Sequence, residues 1–564
     1  MLYSHNQLVL GEFNTGIKDI TKGTLQLPLA KASIETAERA LVLKPKDMAL
    51  ALLVEIAADD ERWGGGEITA SAYNTAWVAM VRDPHNPQQL AFPDSFNWLL
   101  KHQALDGSWG SSFPYTIVPT LASLLALMKA PEQSHQIHHA ALWAKAYLCD
   151  ALRQWSLKKS ESIDFEVLVP NLLQELEKLG VVFEFSGKEE LLLVYVEKLL
   201  IDAPKLIYNG QSSLISSLEA FGSSLDFKRL KQQQGKNGNY GNSPAATAAV
   251  LIYNPEWDTA AAQWLTHLSG CAFDDRPGAM PTAYPIDTFE RAWVLYNLSQ
   301  GGFNLNKEFP QPLLQKLVRC LQYYLILQTE SCSQSLEKVL THSDNIGMVL
   351  VALHKIGVNV SVDCLLHFEH LNACTCDRQN QEISVSANAH SLAALLSLPS
   401  YVSNNLTTSI KKAVDLLYCV RNDGGFWEDK KNLSPFYPTA RAVMALTEHP
   451  DILVRNKLQP TIEWVLQTQS RSDGGWGYGT SSTLEETAYA LQILQSVPDL
   501  IELSDYRAYK RAIHRGVGYL WQHLDEFSPN YGMGLPKLWV CKELYIPIRV
   551  VFSAVVAVLH RFGI

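Results

Sequence analysis

The stretch Gln469-Ser-Arg-Ser-Asp473-Gly474-Gly475-Trp476 sets an aromatic side chain directly after an acidic, glycine-bearing turn. Three further segments repeat the arrangement: Gln103-Ala-Leu-Asp106-Gly107-Ser-Trp109, Lys236-Asn-Gly238-Asn-Tyr240 and Arg421-Asn-Asp423-Gly424-Gly425-Phe426. Each turn follows a Gln-bearing or basic helix end. An apolar helix then starts, introduced by Pro119-Thr120, Pro244-Ala-Ala-Thr247, Pro438-Thr439 or, after the last turn, Thr483-Leu-Glu-Glu486-Thr487. Asp caps such a turn, Gly permits positive φ, and the aromatic plugs the gap between helices. Helix pairs that repeat in this way stack their apolar faces into a solenoid or a closed toroid. The uneven spacing of the four turns predicts two helical barrels rather than one regular array.

The rest of the chain agrees with an all-α class. Apolar runs at helical period recur at Val118 to Met128, Ala245 to Ile252, Ile286 to Leu298, Leu314 to Gln328, Ala387 to Leu396, Thr439 to Leu446 and Glu485 to Val497. Strand signals are few. At 564 residues, two or three domains are expected. Fourteen Trp, 22 Tyr and 19 Phe are enough for a large core and an aromatic-lined cavity. A net charge of −10 without a long basic run argues against nucleic acid as a partner. No 18-residue apolar window exists; the run from Ile548 to Leu559 suits a packed terminal helix better than a membrane span. No secretory signal is visible at the N-terminus, so a soluble cytoplasmic protein with free thiols is expected. The pair Cys374-Thr-Cys376 lacks zinc-site spacing, and Asp274-Asp275-Arg276 reads as a surface loop.

Beyond these turns, a series of motifs resembles the class II diterpene cyclases, relatives of the squalene–hopene cyclases whose Gln/Trp motifs the turns are similar to. Ser71-Ala-Tyr-Asn-Thr-Ala-Trp77 matches a family block with Asn74 in place of Asp. Phe92-Pro-Asp-Ser-Phe-Asn-Trp98, Ser243-Pro-Ala-Ala-Thr-Ala, Tyr284-Pro-Ile-Asp287-Thr-Phe-Glu290-Arg-Ala-Trp293, Ser434-Pro-Phe-Tyr-Pro-Thr-Ala and Trp539-Val-Cys-Lys542-Glu-Leu-Tyr545 follow in family order. The resemblance runs from about Gly65 to Val551. It implies two α-barrels: a β domain of residues 1–59 plus 316–564, and an inserted γ domain of residues 60–315. The Asp-Asp-x-x-Asp cluster of ionising terpene synthases is absent from the sequence.

Class II cyclases carry Asp-x-Asp-Asp, whose middle acid protonates an alkene. Here Thr341-His342-Ser343-Asp344-Asn345 replaces it, and only the middle acid, Asp344, survives. By residues alone, Thr341 and Asp344 also fit an ordinary helix capping box. The resemblance makes Asp344 the general acid and Asn388, in Ala387-Asn388-Ala-His390, its hydrogen-bond partner. Protonating an alkene needs a neutral acid, an aimed proton and aromatic faces for the cation. Neighbouring carboxylates normally raise the acid's pKa by repulsion. His342 and Asn345 cannot do so: a charged His342 lowers it, and a neutral one donates a hydrogen bond. Aromatic candidates along the cation path are Trp293, Tyr284, Phe426, Trp427, Phe436, Tyr437 and Trp476, all of which also suit plain core. In plant copalyl diphosphate synthases a His and an Asn hold the water that takes the last proton. Ser216 and Thr282 stand at those positions, so the quenching step and the product are not carried over.

The resemblance further implies geranylgeranyl diphosphate as substrate, Mg²⁺ as cofactor at residues the sequence does not identify, and a downstream terpene synthase or phosphatase as a functional partner. Farnesyl diphosphate, a non-phosphorylated polyprene or meroterpenoid precursor, and an inactive prenyl-diphosphate-binding relic are the alternatives. Protein prenylation is disfavoured, because zinc ligands of the related toroids have no counterpart.

Overall fold

The computed structural model describes residues 44–58, 60, 62–155, 165–201, 207–208, 213–271, 273, 277–333, 343–368, 383–398, 406–502, 505–527 and 534–563. His342 of the altered motif, the Asp274-Asp275-Arg276 loop and the Cys374/Cys376 pair lie outside them.

Helices dominate, and two apolar cores form. One runs from Ala70 to Tyr284, and the other combines Met48–Ala57 with Ala292–Leu559. In the sequence, the Ala70–Tyr284 core thus falls between the two parts of the other. The changeover between cores falls between Tyr284 and Ala292, earlier than residue 315. The reason is the Asp287–Gln300 helix, which buries Ala292, Trp293, Leu295 and Leu298 in the core shared with Met48–Ala57. Two short antiparallel ribbons close the junctions: Ala70–Ser71 pairs with Met280–Pro281, and Trp539–Val540 with Leu544–Tyr545. The Ile548–Phe562 helix is buried along one whole face, and no described helix is long and apolar enough to cross a membrane.

The repeated turns are built alike. Gly107, Gly238, Gly425 and Gly474 take φ of 93°, 97°, 90° and 85°, the left-handed region that glycine tolerates best. The backbone N–H of Trp109, Tyr240, Trp427 and Trp476 then donates to the hydroxyl of Thr120, Thr247, Thr439 and Thr487, at 2.9 to 3.0 Å. Three indoles reach back to the preceding helix: Trp109 to Leu99 O, Trp427 to Leu417 O and Trp476 to Val465 O. In the third turn the plug is thus Trp427, not Phe426, which instead stacks on Trp464 at 5.2 Å. Helix starts follow their caps. The Ser243 hydroxyl accepts from Ala246 N with Pro244 at the first helical position, and the Thr483 hydroxyl accepts from Glu486 N while donating to the Glu486 carboxylate.

A buried ion pair ties the cores together. Lys542, in the turn of the second ribbon, places Nζ 2.6 Å from Glu219 Oε1, 2.5 Å from Ser216 O and 3.0 Å from Ser243 Oγ. Tyr73 donates its hydroxyl to the same Glu219 oxygen at 3.0 Å. Removing one partner of a buried pair strands the other charge, at a cost of about 3–5 kcal/mol. Lys542→Met is expected to lower the urea midpoint accordingly, and adding Glu219→Gln to recover most of the loss. A double variant no more stable than Lys542→Met would show that the lysine acts by packing instead.

Candidate active site

Asp344 enters the interior in the first turn of the Ser343–Lys355 helix and is 8% exposed. Next to it runs the Val385–Leu396 helix, capped by the Ser384 hydroxyl on Ala387 N. The two approach closely at Gly347, where a Cβ would lie 3.1 Å from the His390 carbonyl carbon and 3.2 Å from its Cβ. Glycine at this position lets the His390 ring reach the acid. Its Nδ1 lies 2.6 Å from Asp344 Oδ1. From the opposite side Lys431 sends Nζ to Oδ2 at 3.0 Å. The loop carrying Lys431 is itself fastened to the start of the His390 helix. Asp429 accepts from Ser384 Oγ at 2.7 Å, Ser386 N at 2.8 Å and Ser386 Oγ at 3.0 Å.

The electrostatics follow from these contacts. Burial pushes the Asp344 carboxyl up, but the Lys431 ammonium and the His390 imidazole together outweigh it and hold the group well below the usual carboxylate range. His390 is 2% exposed, and burial pushes its pKa below the ordinary value despite the pull of Asp344. A neutral imidazole beside a carboxylate carries its proton on Nδ1 and donates it to Oδ1. Nε2 is then a lone pair, and it is buried with no hydrogen-bond partner among the described residues.

Aromatic side chains wall this dyad. The Trp293 ring stands at 87° to the His390 ring, 5.3 Å between centroids, and its Nε1 donates to the Tyr437 hydroxyl at 2.9 Å. Tyr437 also packs at 4.5 Å on Trp539, whose Nε1 donates to Glu485 Oε1 at 2.7 Å. Burial, against that bond from Trp539 and with Glu486 nearby, pushes the Glu485 carboxyl up to about 8. Two carboxyl groups at one aromatic cluster are therefore shifted in opposite directions.

The other expected site residues are distributed as follows. Asn388 is fully buried and donates Nδ2 to Ser384 O at 2.8 Å; His390 and Lys431 each hydrogen-bond Asp344. Asn345 lies beside Tyr324. Trp293 and Tyr437 stand at the dyad. Trp427 and Trp476 serve the turns, and Phe436 packs on Trp464 at 4.7 Å. Tyr284 belongs to the other core and donates to Gly64 O at 3.0 Å. Thr282 and Ser216 come into one neighbourhood there. Asn74 donates to Thr282 O at 3.1 Å and accepts from Ala245 N at 3.0 Å, and the same helix start carries Ser243, which shares Lys542 with Ser216. The Thr282 hydroxyl is buried without a partner among the described residues. His390 and Lys431 were not singled out from the sequence. Among the described residues there is no group of three His, Cys, Asp or Glu side chains that fits a metal ion.

A carboxyl whose folded pKa is depressed contributes stability above its ordinary value of about 3.9, and that contribution is lost as pH falls through the folded value. Asp344→Asn is expected to cost about 2–3 kcal/mol at pH 7, because Lys431 loses this partner. The gap between variant and wild type should close as urea titrations move below about pH 4. A gap independent of pH would show that the carboxylate is not the paired species.

No protein-family model matches the chain. The phyllocladan-16-alpha-ol synthase of Phomopsis amygdali is 31% identical over 484 residues, which are 80% of this chain and 47% of that protein. The chain thus spans about half the length of the curated relatives it matches first. The type B diterpene cyclase of Mycobacterium tuberculosis is 28% identical over 88% of this chain and 96% of its own length. Among solved structures, the ent-copalyl diphosphate synthase of Streptomyces platensis superposes with a TM-score of 0.75 at 26% identity, covering 92% of this chain and all of that one. With the two helical cores, these likenesses agree on one family: the chain belongs to the class II diterpene cyclases.

Proposed function

We propose that the protein cyclises geranylgeranyl diphosphate by protonation, keeps the diphosphate, and forms a cyclic diterpenyl diphosphate of labdane, halimane or clerodane type. The observation that supports this most is Asp344, buried in the first turn of its helix beside Trp293 and Tyr437, within a chain similar along its length to a copalyl diphosphate synthase. In this reading the Asp344 O–H donates its proton to the terminal alkene, internal alkenes capture the cation, and a C–H proton is finally lost. Aromatic faces stabilise the passing cation. Asn388 and Asn345 shape the surroundings of the acid.

The arrangement of Lys431 and His390 around Asp344 corresponds to the acid after it has given up its proton. Both groups stabilise the carboxylate, which makes the acid stronger and its protonated form rarer. Each unit of depression removes tenfold in population and returns less than tenfold in acid strength. Turnover is therefore expected to rise as pH falls from 8 to 6. A product that keeps its diphosphate calls for a second enzyme, a terpene synthase or a phosphatase, to complete it.

The test is incubation of the purified protein with geranylgeranyl diphosphate and Mg²⁺, phosphatase treatment and mass spectrometry of the alcohols. A cyclic isomer is expected from the wild type, and none from a folded Asp344→Ala variant, a loss of more than about 100-fold. Recovery of geranylgeraniol alone from folded wild type would refute the substrate assignment, and farnesyl diphosphate and neutral polyprenes would follow.

A further inference from the structure

The dyad holds an acid and a base within one ring of each other. Asp344 faces His390 Nδ1 at 2.6 Å, and the lone pair of Nε2 lies across the same five-membered ring, buried and without a hydrogen-bond partner among the described residues. Everything around it keeps the imidazole in this state. The Asp344 carboxylate orders the Nδ1 proton, the Lys431 ammonium holds that carboxylate in place, and Gly347 lets the two helices pack closely at the His390 main chain. Trp293 and Tyr437 meet the ring edge to face, and offer it no acceptor or donor. The charged groups acting on His390 are Asp344, Arg441 and Lys431, of which the two cations disfavour a second ring proton.

Resting on the protonation-initiated cyclisation proposed above, we propose that His390 Nε2 is the base that ends the cascade, which places the new double bond in the ring formed nearest Asp344. A C–H bond beside the final cation breaks, and its electron pair becomes the alkene. The proton passes to Nε2, giving an imidazolium next to the carboxylate. After the product leaves, Nε2 returns its proton to solvent and the Asp344 carboxylate takes one up, which restores the neutral acid and the free Nε2 lone pair. One proton enters and one leaves, the diphosphate is untouched, and the net change is an isomerisation. A base this close to the acid serves the end of the substrate where the proton arrived. The cation must therefore return to the first ring by hydride and methyl shifts, so the product class is rearranged (halimane or clerodane type) rather than labdane.

The experiment compares wild type with His390→Asn, whose side-chain amide can still donate to Asp344 but has no lone pair at the Nε2 position. Products from geranylgeranyl diphosphate are dephosphorylated and their double bonds located by NMR. The wild type is expected to give an alkene in the first-formed ring. His390→Asn should keep consuming substrate and shift at least half of its product to hydroxylated or unrearranged skeletons, quenched by water. A merely structural histidine would lower the rate and leave the product ratio alone, and that result overturns the assignment. An unrearranged alkene from the wild type overturns it as well while leaving the cyclisation standing. Absence of every cyclic product from folded wild type refutes the cyclisation itself and this assignment with it. A folded His390→Asn that consumes no substrate places the imidazole in proton delivery instead of removal, and so also refutes it.

Discussion

The close crossing of two helices at Gly347 and His390 is the constraint on which the site depends. Any side chain at 347 would press on the backbone of the neighbouring helix. The glycine brings the Asp344 turn within one hydrogen bond of the His390 ring, and the pair in turn places a negative charge where Lys431 can meet it. Asp429, two residues before Lys431, is bound to the first turn of the His390 helix, so one short loop aligns both flanks of the acid. Three segments far apart in the chain are thereby held to a single geometry.

Around this point the aromatic residues divide into two kinds. Trp109, Trp427 and Trp476 are spent on the architecture: each backbone N–H is taken by a threonine of the next helix, and each indole by a carbonyl of the previous one. Trp293 donates to Tyr437 and Trp539 to Glu485, and the rings of Trp293 and Tyr437 stand against His390. The difference lies in where the N–H goes. An indole tied to a main-chain carbonyl is fixed by the fold, whereas one tied to another side chain belongs to a network that the site can use.

The charges of the site are arranged so that the buried carboxyl groups do not compete. Asp344 has two cationic or donating neighbours and is held ionised; Glu485 has an indole N–H and a second glutamate beside it, and is held neutral. Buried groups normally move their pKa values this far only where a specific partner is supplied or withheld. Lys431 and His390 both stabilise the ionised form of Asp344, which lowers the population of its protonated form.

The sequence by itself determined the helical class, whereas the inserted barrel and the attention to Asp344 came from the resemblance of its motifs to a family. Turn chemistry and helical period are local properties, written within ten or so residues: the glycines that need positive φ, the threonines that start the next helix, and the apolar faces between them. The reading erred at Phe426, because the turn alone does not say which of two adjacent aromatics points inward; the neighbouring helix decides for Trp427. It also placed the return to the core that holds Met48–Ala57 too late, because an amphipathic helix does not announce which of two cores it joins. Only the tertiary structure decided what touches Asp344. His390 is 46 residues away in the chain and Lys431 is 87. Neither distance leaves a local pattern, because contacts between helices are set by their crossing, and that crossing is fixed by packing over the whole core.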